Sequence, residues 1–136
     1  MVVKSNMTDG DPSLKGKLGR ILKELGTSTQ GIDGATLVRR DGLIVSAWAP
    51  VPGDNSVAGA MSAALLNIGD NVLNKLELGE LKRVVVSGIT GDIVLSKATE
   101  EMILSVTTRK GVSLGMTFLE LNRTKEKVSA TMEQRR

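Results

Sequence analysis

The chain has 136 residues and contains neither cysteine nor histidine. Without thiols there is no disulfide, no thiolate nucleophile and no cysteine zinc site. Without imidazole the commonest general base and metal ligand is missing too. Tyrosine is also absent, and one Trp and one Phe leave almost no stacking platform for single-stranded nucleic acid. Charge of one sign does not accumulate. The net charge is +3 and the pI about 9.4, but Lys and Arg alternate with Asp and Glu, as on a solvated surface rather than a phosphate-binding stripe. No run approaches the roughly 18 apolar residues of a membrane span. Ser5, Asn6, Thr8, Asp9 and Asp11 interrupt what a signal core would require. These absences predict a cytoplasmic protein that is not an enzyme, uses no cofactor or metal, binds no nucleic acid and inserts into no membrane.

What is present is one domain's worth of alternating helix and strand patterns. Hydrophobic content of 40% and charged content of 24% are those of a globular chain. Residues 1–12 read as a flexible polar tail, residues 13–122 as the folded domain, and residues 123–136 as the end of the last helix or a charged tail. Ser13 is read as the cap of a first helix with Leu14, Leu18, Ile21, Leu22 and Leu25 on one side and Gly26 closing it. Gly16 and Gly19 weaken that helix. A hairpin follows, with strands at 34–40 and 43–48 around Asp41-Gly42, a pair suited to a type I′ turn. Pro50 and Pro52 then deliver the chain to Asp54, Asn55 or Ser56 as the next helix cap.

The longest pattern is that helix, reaching Leu76. Its bulky stripe of Val57, Met61, Leu65, Ile68, Val72 and Leu76 is expected to be core. A second stripe of small and amide residues, Ala60, Ala63, Asn67, Asp70, Asn71 and Asn74, is expected to face outward and admit a second helix. Three short strands follow at 81–87, 93–97 and 102–108, close enough together to form an antiparallel meander. Their consecutive apolar residues, such as Val84-Val85-Val86, suit a sheet covered on both faces. Ser113 caps a final helix with Leu114, Phe118 and Leu121. The fold class is therefore α/β: a three-layer sandwich with a five-stranded antiparallel sheet, one long helix on one face and two terminal helices on the other. If the first and last strands pair centrally, 43–48 and 81–87 are the edges.

The order and spacing of these pieces resemble the roadblock family, also called the roadblock dynein light chain family, in its prokaryotic form that regulates small GTPases. The resemblance rests on Gly34-Ala35-Thr36-Leu37-Val38-Arg39-Arg40-Asp41-Gly42-Leu43-Ile44-Val45-Ser46, on the alanine-rich helix start at 58–66 and on Gly69. It continues through Leu76-Glu77-Leu78-Gly79-Glu80-Leu81, Val84-Val85-Val86 and Gly111-Val112-Ser113-Leu114-Gly115. It implies a profilin-like sandwich and a homodimer formed through the long helix and the following strand. The expected interface is Ala60, Ala63, Ala64, Asn67, Asn71, Asn74, Lys82, Val84, Val85 and Val86. It also implies binding to a Ras-like small GTPase and modulation of its GTP hydrolysis, or alternatively a scaffold role in a motor- or membrane-associated complex that ignores nucleotide. The family carries no universal catalytic residue, so none is assigned. Arg39 and Arg40, with Asn67 and Asn71, are the candidate partner contacts; paired arginines at a hairpin tip also serve simply as solubilising charge. Trp48 either anchors a partner or closes one edge of the core.

Overall fold

The computed structural model describes residues 12–49 and 55–134. Residues 1–11 of the tail expected over 1–12, and a cap at Asp54, lie outside the described residues; Pro12, the last residue of that tail, already opens a helix.

The first helix, α1 (Pro12–Ser28), opens on proline, whose fixed φ suits the first helical position. Ser13 therefore stands inside the first turn. Leu14, Leu18, Leu22 and Leu25 recur at helical spacing and are all buried. Gly26 does not close the helix, which runs two residues further. A Cβ at Gly26 would lie only 2.0–2.4 Å from the Trp48 ring. The glycine is thus the seat of the tryptophan, and Trp48 packs at the margin of the core rather than standing free. At Gly16 a Cβ meets nothing within 4 Å. The same substitution in one helix should therefore have opposite signs. Gly16→Ala is expected to raise the stability read from urea unfolding by about 1 kcal/mol. Gly26→Ala is expected to lower it by about 1–3 kcal/mol and to shift the emission of the single Trp48 to the red.

Strand β1 (Ile32–Arg39) turns into β2 (Ile44–Trp48) at Asp41-Gly42. The turn is not type I′. Gly42 has φ +97°, but Asp41 is not in the left-handed region. The Gly42 amide donates to Arg39 O and the Arg39 amide to Leu43 O, both at 2.8 Å, so a tight turn ends on one left-handed glycine. Asp41 holds it by accepting hydrogen bonds from Arg39 and from the Leu43 amide. These bonds, Arg39's first, keep its carboxyl below the usual carboxylate range.

After α2 (Asn55–Lys75) come β3 (Val84–Ser87), β4 (Gly91–Lys97), β5 (Met102–Arg109) and α3 (Leu114–Gln134). The five strands form one antiparallel sheet in the order β2-β1-β5-β4-β3. The first and last strands pair in the centre and the two predicted edges are the observed ones. Alternate residues of the central strands point to opposite faces. Leu37, Val94, Leu104 and Val106 meet α1 and α3, while Val38, Leu95 and Ile103 meet α2. Ser113 caps α3 by accepting from the Met116 amide at 3.3 Å.

Candidate functional site

The way α2 sits on the sheet decides what the molecule presents to others. Gly59, Ser62, Ala63, Leu66, Gly69 and Leu73 follow one another at helical spacing and are buried or partly buried. A Cβ at Gly59 would stand 2.4 Å from the Gly42 carbonyl oxygen and 3.1 Å from Ile44 Cγ1. One at Gly69 would stand 3.1 Å from Val84 Cγ2. These small residues let the helix lie close upon its own sheet, and Leu66, with no exposed surface, is the large side chain that fastens it.

The consequence reverses the expected assignment of faces. The bulky stripe is not core. Val57, Met61, Ile68, Val72 and Leu76 are all exposed, Met61 to 61%. Leu65 alone of that stripe is partly buried. The physical reason is distance: a helix held at glycine contact has no room for Met, Ile or Val between its axis and the sheet. Full burial of one such side chain is worth about 1.5–3 kcal/mol, so the isolated chain leaves several such contributions unrealised.

Beside this stripe runs β3, four residues long and at the edge of the sheet. Val84 turns under α2, while Val85 and Val86 are 37% and 44% exposed. Leu78, on the connection between helix and strand, is exposed as well. The strand is fastened at its start by Ser96 Oγ, which donates to the Lys82 carbonyl at 2.6 Å. Among the described residues no strand lies beside its outer edge. An apolar helical stripe and an open strand edge thus form one continuous surface, far more apolar than a lone exposed leucine would be.

The other flank of α2 is polar. Arg40, at the start of the β1–β2 turn, donates to Asn67 Oδ1 at 2.9 Å and reaches Asp70 at 3.5 Å. Lys97 approaches the same carboxylate at 3.8 Å. With Asn71, Asn74 and Glu100 these residues line an open concavity of about 540 Å³. Arg40 Nε is buried there without a partner among the described residues. Arg39 does not join this group; its guanidinium is taken by Asp41.

Of the residues singled out from sequence, Ala60, Ala64, Asn67, Asn71, Asn74, Lys82, Val85 and Val86 are on the surface. Ala63, 6% exposed, and Val84 are used inside the chain. The pattern missed Val57, Met61, Ile68, Val72 and Leu76 as surface residues. Gly59 and Gly69, ten positions apart on the opposite side of the helix, were the available signal. On the far face of the sheet Arg83 stacks over Phe118 at 4.1 Å from the ring centre. Burial, and then the nearby Arg83, push the Lys125 pKa down. Among the described residues no cluster of carboxylates is placed to hold a metal, and no helix is long and apolar enough to cross a membrane.

The sequence profile of the Roadblock/LC7 domain matches residues 19–108. The uncharacterized protein MJ1340 of Methanocaldococcus jannaschii is 29% identical over 113 residues, covering 83% of this chain and 97% of that one. Among solved structures, Myxococcus xanthus MglB superposes with a TM-score of 0.83 at 13% identity, covering 98% of this chain and 96% of that one. Acanthamoeba castellanii profilin IB superposes with a TM-score of 0.60 at 12% identity, over 80% of this chain and 94% of that one. At such identities the likeness is one of fold, and the fold is the profilin-like sandwich.

Proposed function

The chain belongs to the Roadblock/LC7 domain family, and on that footing we propose that it is a homodimeric adaptor that binds a Ras-like small GTPase and modulates its GTP hydrolysis. The observation that carries the first half is the apolar stripe of α2 lying beside the unpaired edge of β3. Two copies related by a twofold axis would pair their β3 strands antiparallel and pack their α2 stripes together, closing both liabilities at once. The interface would use Met61, Ile68, Val72, Val85 and Val86, with Ala64 and Lys82 at its margin. Ala60 lies toward the polar flank, with Asn67 and Asn74.

The second half rests on what such a dimer would leave uncovered. Its polar flanks would display Arg40, Asn67 and Asn71, charge and amides on a rigid helix beside a hairpin. A GTPase changes the shape of its switch regions with its nucleotide, and a fixed surface that fits one shape better shifts the population toward it. Binding energy alone is then the mechanism. No side chain of this protein needs to enter the reaction.

Asn71→Arg tests this reading. It places a third cation beside Arg40 and Lys97 on an exposed position, so fold and assembly should survive. Affinity for the GTPase is expected to fall about tenfold or more, roughly 1.4 kcal/mol. The measurement is titration of cytosolic GTPases loaded with GDP or a GTP analogue against parent and variant. A partner that binds both chains equally, whatever its nucleotide, would leave a structural scaffold as the correct description.

A further inference from the structure

A second feature lies beneath α2, with its mouth beside Met61 of the apolar stripe. Between the first half of this helix and the sheet is a cavity of about 250 Å³. Val38, Ile44, Leu65 and Ile93 give it apolar walls, and among the described residues none that carries charge lines it. Met61 also lines it and, being exposed, stands at the mouth. On its floor Thr107 Oγ1 is buried without a hydrogen-bond partner among the described residues. Gly34 lies next to it. A Cβ there would come within 3.1 Å of Thr107 Oγ1 and 2.7 Å of the Ala49 carbonyl oxygen, so the glycine keeps this corner open.

Protein interiors leave few voids larger than a water molecule, and buried hydroxyls are almost always bonded. Void and orphaned hydroxyl coincide here. We infer that this cavity binds a small neutral molecule with an apolar body and one hydrogen-bonding group, which pairs with Thr107. The volume sets the size. An engineered cavity of about 150 Å³ holds benzene, so this one has room for roughly eight to ten non-hydrogen atoms. The lining sets the charge. A carboxylate or phosphate would be buried with no cation to meet it, which excludes nucleotides and free fatty acids as ionised species. Medium-chain alcohols, and aldehydes or ketones of similar length, fit both limits.

The test is a titration of the full chain with octanol, followed through the amide resonances of Ser105 and Thr107, with octanoate as the charged counterpart. Saturable shifts with octanol and none with octanoate are expected. Thr107→Val keeps the shape and removes the hydroxyl, and should weaken octanol about three- to tenfold. Ser62→Leu grows from α2 into the cavity and should abolish binding; if it fails to fold, Thr107→Val still decides. Absence of saturation in the parent chain would overturn the inference. So would octanol binding that ignores Thr107→Val, or that appears only when assembly is broken by Ile68→Glu. The outcome is independent of GTPase binding.

Discussion

An Ile68→Glu chain is expected to scatter as a 14.4 kDa monomer under conditions in which the parent chain is a dimer of twice that mass. Ile68 stands in the middle of the exposed stripe, between Met61 and Leu65 on one side and Val72 and Leu76 on the other. In a twofold arrangement each substitution enters the interface twice, close to its mate. Two carboxylates would then be brought together and removed from water in the middle of an apolar stripe, at a cost of several kcal/mol. Dimer dissociation should increase about a hundredfold or more, roughly 2.8 kcal/mol. The protomer itself should be spared, because the side chain is 59% exposed within it. Circular dichroism of the monomer should therefore match the parent. A parent chain that is already monomeric, or a variant that remains dimeric, would remove the assembly proposal.

The other large effect concerns adjacent leucines. Leu66→Asp should abolish the cooperative unfolding transition, whereas Leu65→Asp should keep it. Leu66 is fully buried among Val38, Leu95 and Ile103, where a carboxylate would find neither water nor a partner. Leu65 is only partly buried and lines the cavity whose mouth is open. A milder pair gives a graded reading. Leu66→Ala should cost about 2–5 kcal/mol, with Leu65→Ala at or below the bottom of that range. Equal losses at the two positions would show that the helix is rotated so that both leucines face the sheet.

That rotation is where sequence reading and structure part company. Element order and the Ser113 cap were legible, because each follows from periodicity, short connections or a local hydrogen bond; the edge strands were legible only on the condition that β1 pairs with β5, which the structure meets. The orientation of α2 was not. Hydrophobicity alone assigns the bulky stripe of Met61, Ile68 and Val72 to the core, and in most isolated domains that stripe is the buried one. Here Gly59 and Gly69 decide the matter by how close the helix can come, a question of backbone distance that a pattern of apolar residues does not encode. Gly26 is a similar case. Its position near a helix end suggests a terminator, but the reason for it is Trp48, 22 positions away in the chain. The joining of Arg40 with Asn67 and Asp70 across 27 and 30 positions was likewise invisible until the hairpin was laid against the helix.

The close but thinly anchored seat of α2 has a dynamic consequence. A helix of 21 residues is held to the sheet by one large, wholly buried side chain and a row of small ones, above a partly empty space. Glycine and alanine contacts bring the backbone near but bury little apolar area. The free energy for detaching α2 alone must therefore lie well below that for melting the β1–β5–β4 centre. In the isolated protomer, amide hydrogen exchange should pick out α2 as an early-opening unit and the central strands as the last to exchange. Anything that covers its outer stripe would slow that exchange in proportion to how strongly it binds. The order of this helix would then become a gauge of occupancy, rising and falling with the concentration of whatever it meets.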